Sequence, residues 1–181
     1  MTIQKKILTP EQIFKSGIIS DYCNADFKWA EYFTPINGKP TLELLNNAKK
    51  MLDILSWYKW HVFGGAELTI TDGWRSLANH LAIYKIINDA RIKQGLKPKP
   101  IPMGSFHLKA LAGDFTVAGF TKQQVFAKMD AVHYGGVEIP DEQNRTHIDL
   151  RPEICRFNGT TGTVVAHHYN QVAHDKVFHS K

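Results

Sequence analysis

Apolar residues recur at helical spacing between Leu44 and Leu55, at Leu44, Leu45, Ala48, Met51, Leu52 and Leu55. This predicts an amphipathic helix over residues 42–58 with one buried face. Thr41 precedes it as a candidate N-cap, and Glu43 in the first turn suits the positive end of the helix dipole. Leu44 stands three residues after the cap, so a full capping box is absent. Polar and apolar residues then alternate over Glu67, Leu68, Thr69, Ile70 and Thr71, which predicts a short strand closed by the turn pair Asp72-Gly73. Leu77, Leu81, Tyr84 and Ile87 predict a second helix from residue 77 to about 93, ending near Gly95 with prolines beyond. Residues 110–117 read as a strand with Leu111 and Phe115 on one face and Ala112, Asp114 and Thr116 on the other. Val125, Phe126, Met129 and Val132 form the buried stripe of a third helix over 121–132. Short strands are expected near Val137, after Gly135-Gly136, over 146–151, and late in the chain over 163–166.

Helices and strands are mixed without a regular strand–helix–strand rhythm, and the last strands follow one another closely. The expected fold is therefore an α+β domain, with helices packed on a largely antiparallel sheet. No repeat or low-complexity tract divides the 181 residues, a length that suits one well-formed core. A single domain over residues 1–181 is expected, with its core at about 27–157 and a C-terminal extension of unassigned role.

Composition narrows the class of protein. No run approaches the roughly 20 apolar residues of a membrane-spanning helix. The opening residues, Met1 to Lys6, are not followed by the apolar run of a secretory signal, so none is expected. Cys23 and Cys155 are not a CxxC pair; they read as two lone thiols, with a single disulfide as the alternative. The formal charge of +5 suits a polyanionic partner such as nucleic acid or an anionic cell wall. The lysines at 93, 97 and 99 lie among prolines and read as an exposed loop rather than a nucleic-acid patch. There is no glycine-rich nucleotide loop, no GxSxG elbow and no HExxH.

Chemistry concentrates in two segments. In the first, His107 is followed seven residues later by Asp114. In the second, Thr146-His147-Ile148-Asp149-Leu150-Arg151, strand alternation sends His147, Asp149 and Arg151 to one face and Ile148 and Leu150 to the core. Two neighbouring strands can thus present imidazole and carboxylate on one open face. Two His and one carboxylate suit a catalytic zinc ion, leaving a fourth position for water and enough positive charge to activate it and polarise a carbonyl. The chain has nine histidines; His61, His80, His133, His167, His168, His174 and His179 read as ordinary surface or core residues.

Ser105 to Asp114 resembles the S-x-H-x-x-G-x-A-x-D signature of the M15 family of zinc peptidases, the D-alanyl-D-alanine carboxypeptidases and related endolysin peptidases. His147-Ile148-Asp149 is similar to that family's H-x-D motif, with Gly135-Gly136-Val137 standing before it as the family's strand lead-in does. Thr71-Asp72-Gly73-Trp74-Arg75-Ser76 is similar to the family's S-G-Y-R-S turn. The segments fall in the family's order and span nearly half the chain. The resemblance implies a hedgehog/D-Ala-D-Ala peptidase-like α+β fold, zinc on His107, Asp114 and His147, and Arg75 in contact with substrate. Arg75 offers a rigid fork to a peptide carboxylate or carbonyl, and Ser105 can bond substrate or cap a turn.

The chain departs from the family pattern at two places. Ala110 stands where the family usually has Gly, which is costly if the backbone there needs positive φ. Asn144 stands three residues before His147, where many members carry the acid that moves the proton. The nearest acids are Asp141 and Glu142 in the preceding loop, and Glu142 has the longer reach as a general base. Asp149 is better placed to orient an imidazole.

The expected activity is zinc-dependent hydrolysis of an amide bond in peptidoglycan stem peptide. The bond is D-Ala-D-Ala, as in a carboxypeptidase, or an internal one such as L-Ala-D-Glu. A monomer is expected, made in the cytoplasm without a signal peptide and reaching the wall after release, as a phage lysis enzyme, or within a virion. The alternative is a catalytically inactive metal- or wall-binding module of a phage particle.

Overall fold

The computed structural model describes residues 24, 26–140, 145–158 and 164–166. Cys23, His167, His168, His174, His179 and the remainder of the C-terminal extension lie outside the described residues.

The first elements are a one-turn helix α1 (Trp29–Tyr32), a 3-10 turn (Pro35–Asn37) and the long helix α2 (Leu42–His61). The Thr41 hydroxyl accepts from the Leu44 N–H at 3.3 Å, so the N-cap forms as expected. Leu45, Ala48, Met51, Leu52, Leu55 and Tyr58 make the buried face. The helix runs three residues past the expected end, to His61, whose ring stacks on Trp57 one turn back at 4.7 Å. Gly64 and Gly65, at φ 63° and 84°, take the chain out of it.

Strand β1 (Leu68–Asp72) leads to α3 (Leu77–Lys93), capped by the Ser76 hydroxyl and followed by Gly95 at φ 73°. The helix is where the pattern puts it, but His80 is its buried residue, and Leu77, Leu81 and Ile87 are 50%, 39% and 37% exposed. Its contacts run to the 3-10 turn at Pro35–Asn37 and to the proline-rich strap that follows. Asn88 holds both the N–H and the carbonyl of Lys99, and Arg91 donates to the Lys97 carbonyl.

A second 3-10 turn (Phe106–Lys109) precedes β2 (Ala112–Val117). The strand begins two residues later than its alternation suggests. Ala110 adopts φ 56°, ψ 33° and Leu111 N–H returns to the Phe106 carbonyl, so the backbone there is still curled. Helix α4 (Lys122–Val132) carries a full capping box between Thr121 and Gln124, and buries Val125, Met129 and Val132, with Phe126 only partly covered. Then come β3 (Gly136–Ile139), β4 (Thr146–Asp149), β5 (Cys155–Asn158) and β6 (Val164–Ala166). Strand β5 had no signal in the alternation. It is short, and its buried members are Cys155 and Arg156.

Among the described residues the strands form one sheet in the order β1-β2-β4-β3-β5-β6, antiparallel except for the parallel pair β3–β5. The α+β architecture is the expected one. One face packs on α2: a Cβ at Gly113 would lie 3.6 Å from Leu55 and 3.7 Å from Met51. Phe115, Val137 and Ile148 are buried in this same core. The opposite face stays free for polar side chains. Among the described residues no helix is long and apolar enough to cross a membrane.

Candidate metal centre

Strands β2 and β4 pair with Asp114 opposite His147 and Ala112 opposite Asp149. Pleating sends Gly113, Phe115 and Ile148 into the core, and therefore Asp114, His147 and Asp149 to the other face. His107 arrives from the 3-10 turn before β2. Its Nε2 lies 3.2 Å from His147 Nδ1 and 3.4 Å from Asp114 Oδ1, and His147 Nδ1 lies 2.8 Å from the same oxygen. Metal–ligand bonds of 2.0–2.1 Å at tetrahedral angles place ligand atoms about 3.3 Å apart. The three donors form a triangle of that size, and among the described residues they are the one group of His, Cys, Asp and Glu so arranged.

The tautomers suit this role. His107 Nδ1 lies 2.6 Å from the Gly73 carbonyl, which can only accept, so Nδ1 carries the proton and Nε2 presents its lone pair. Burial holds the His107 pKa well below its ordinary value, with the neighbouring His147 and Arg75 adding to the effect. A neutral ring is what a metal ligand requires. His147 Nε2 faces Asp149 Oδ2 at 3.3 Å, which leaves Nδ1 for the triangle. Asp149 is itself held by Arg151 through Nε at 2.7 Å and Nη2 at 2.5 Å. Burial alone would raise the Asp149 pKa, but the bonds from Arg151 and His147 outweigh it and hold the carboxylate ionised.

The turn after β1 holds His107 in place. The Arg75 N–H donates to the His107 carbonyl at 3.1 Å while His107 donates to Gly73. Gly73 is needed for close approach: a Cβ there would lie 2.6 Å from the Tyr32 carbonyl oxygen. Tyr32 in turn donates from its hydroxyl to the Ala112 carbonyl at 2.5 Å, tying α1 to the start of β2. Ala110 closes the turn in the left-handed region, the one described non-glycine residue with positive φ. The glycine-like conformation is therefore present, and alanine occupies it.

Above the triangle opens a cleft of about 460 Å³. Its cationic lining comes from Arg75, Lys99, Arg145 and Arg151, and its acids are Glu138 and Asp149. Arg75 pairs with Asp72 and stands 3.6 Å from Asp114 Oδ2, which Arg145 also contacts. Burial lowers the Arg145 pKa, and the like charge of Arg75 adds to this. Arg151 lies over the Phe157 ring at 4.7 Å. Ser105 lines the cleft as the cap position of the 3-10 turn, with no side-chain cap bond.

Of the residues singled out in the sequence, His107, Asp114, His147, Asp149, Arg75 and Ser105 come together here. Asp141, Glu142 and Asn144 lie outside the described residues. Arg145 and Glu138 were missed. Arg145 has the parity of His147, Asp149 and Arg151, so alternation alone would have put it on this face. Glu138 stood out only as a single charge in an otherwise apolar strand. Of the other histidines, His80 and His133 are buried core residues and His61 is exposed. Cys155 is a free, buried thiol whose sulfur accepts from Arg151 at 3.1 Å.

No protein-family model matches the chain, and no curated protein matches it in sequence.

Proposed function

We propose that this protein is a zinc-dependent peptidase that hydrolyses an amide bond in peptidoglycan stem peptide. The observation that carries the proposal is the triangle of His107 Nε2, Asp114 Oδ1 and His147 Nδ1, with edges of 2.8–3.4 Å, at the base of an open cleft. The donor set fits zinc: two neutral imidazoles and one carboxylate leave a position open. When bound, the ion would supply Lewis-acid polarisation of the scissile carbonyl and lower the pKa of water.

The chain's own residues supply orientation. Asp149 keeps the proton on His147 Nε2, and the Gly73 carbonyl keeps it on His107 Nδ1. Arg75, Arg145, Arg151 and Lys99 give the cleft a cationic wall suited to a peptide bearing carboxylates. Stem peptides carry them at the D-Ala terminus and at D-Glu, so both the D-Ala-D-Ala and the L-Ala-D-Glu bond suit the wall. The resemblance of the three motifs to the zinc carboxypeptidases and endolysins supports the same reading. Such an enzyme would reach the wall at lysis or within a virion.

The test is mass spectrometry of peptidoglycan digested with purified protein. New amino termini or released D-Ala are expected, lost with chelator and restored by zinc. Bound zinc with no fragment released would instead favour an inactive metal- or wall-binding module.

A further inference from the structure

Helix α3 turns a polar stripe inward. His80 is fully buried and Tyr84, Asn88 and Arg91 are half-buried, and their spacing places them on one helix face. The stripe holds the strap that follows the helix. Asn88 Nδ2 donates to the Lys99 carbonyl at 3.0 Å, and Asn88 Oδ1 accepts from the Lys99 N–H at 2.7 Å. Arg91 Nε donates to the Lys97 carbonyl at 2.8 Å, and the Leu96 N–H returns to the Arg91 carbonyl at 2.9 Å. Pro98, Pro100 and Pro102 fix φ at alternate residues and bias Lys97, Lys99 and Ile101 to extended backbone. The Lys99 backbone is thus held at both of its polar groups.

Two side chains of this wall reach the cleft. Lys99 and Tyr84 both line it, together with Pro100 and Pro102. The Tyr84 ring rests against the buried His80 imidazole, with centroids 4.9 Å apart. Burial raises the Tyr84 pKa; the positive charges of Arg75 and Arg145 oppose the rise and the negative charge of Glu138 adds to it. The phenol therefore keeps its proton at neutral pH and can donate it. An ammonium and a phenol together suit a carboxylate, whose two oxygens can accept from both. The metal triangle lies at the base of the cleft, so a group held on this wall belongs to a peptide residue flanking the scissile bond.

We infer that Lys99 and Tyr84 form a carboxylate subsite for the peptide, with Asn88 as its positioning residue, an assignment that takes its ligand from the peptidase reading above. A lysine on a loose loop binds an anion weakly, because ordering the loop and the side chain opposes the contact. The Asn88 clamp fixes the backbone before the peptide arrives, which leaves only the side chain to be ordered. A stem peptide offers two carboxylates of this kind, the α-carboxylate of γ-linked D-Glu and the C-terminal carboxylate of D-Ala. Either one, held here, sets which peptide bond lies over the triangle.

The experiment uses the peptide L-Ala-γ-D-Glu-L-Lys-D-Ala-D-Ala and two analogues, one with a carboxamide in place of the D-Glu α-carboxylate and one with a C-terminal carboxamide. Calorimetry on metal-free protein gives each Kd, and zinc-loaded protein gives kcat/KM. Wild type is expected to bind the parent about tenfold tighter than one of the analogues, and that analogue identifies the carboxylate. Lys99→Gln should remove most of this preference. Tyr84→Phe, which keeps the ring, should lower it about threefold. Asn88→Ala, with Lys99 intact, should lower it by about as much. Equal or undetectable binding of all three peptides by wild type overturns the subsite, as does a preference unchanged in Lys99→Gln. A preference unchanged in Asn88→Ala, with only the melting temperature lowered, overturns the positioning role. Wild type that cleaves no peptide with zinc, yet keeps the Lys99-dependent preference, sinks the peptidase reading and leaves the subsite standing.

Discussion

The Nε2 of His147 lies 3.3 Å from Oδ2 of Asp149, two residues along the same strand. That spacing places both on one face of the sheet, and it decides which imidazole nitrogen is left to meet Asp114 and His107. Replacing Asp149 with Asn removes the charge that fixes the tautomer while nearly keeping the shape. Zinc affinity is expected to fall by about 10 to 100-fold, measured by competition with a chromophoric chelator. Unchanged affinity would mean that Asp149 serves only Arg151.

A metal held by the triangle must stabilise the fold, because the unfolded chain does not bring His107, Asp114 and His147 together. At free zinc about 100 times the dissociation constant, the gain is about 2.7 kcal/mol. It should appear as a higher melting temperature that chelator reverses. His147→Ala should melt at the same temperature with and without zinc. A zinc-dependent shift surviving in that variant would place the ion elsewhere.

His133 makes stability depend on pH. Its ring is buried, with Tyr58 Oη 2.7 Å from Nδ1 and the Asp149 carbonyl 2.9 Å from Nε2. A neutral ring satisfies both, donating to the carbonyl and accepting from the hydroxyl. Burial pushes its pKa from 6.5 down to about 4. As pH falls below about 6.5 the unfolded chain takes up the proton first, so stability drops with pH down to about 4. The total loss is about 3 kcal/mol, and His107, shifted in the same direction, adds to it. Urea unfolding at pH 7 and pH 5 reads the effect, and equal stabilities at the two values would contradict it.

Tyr58→Phe tests the same contact at constant pH. It leaves the His133 Nδ1 without its hydroxyl donor in a buried site, and should destabilise by about 1–3 kcal/mol. A stability change below about 0.5 kcal/mol, the ordinary scatter of surface substitutions, would show that the bond contributes nothing.

Ala110 is fully buried with φ 56°. A non-glycine residue in the left-handed region is strained by about 1–2 kcal/mol, against about 0.8 kcal/mol for a buried methyl. Ala110→Gly is therefore expected to stay within about 1 kcal/mol of wild type. Ala110→Val, β-branched and oversized, should be destabilised by about 3 kcal/mol and should weaken zinc binding through His107 in the same turn. Denaturant unfolding distinguishes this from an ordinary core alanine, where glycine would be the clear loss.

Much of the fold was legible because it is local. The α2 periodicity, the Thr41 cap and the parity of His147 and Asp149 are each set by residues within one or two turns of one another. Helix α3 shows the limit of that reading. Leu77, Leu81 and Ile87 make a helical pattern, but what they pack against depends on distant segments, and they stand exposed. Strand β5 was invisible because its pairing with β3 supplies what its four residues do not.

The candidate site divides in the same way. From the sequence alone came His107, Asp114 and His147 as donor types, the strand face shared by His147 and Asp149, and the turn bearing Arg75. Tertiary structure decided the rest. It set the 2.8–3.4 Å triangle, the choice of Nε2 on His107 and Nδ1 on His147, and the arrival of Arg145 and Glu138 at the cleft. Side-chain parity follows from backbone geometry within a strand. Which strands become neighbours, and in what register, follows only when α2 and the sheet bury their apolar faces together.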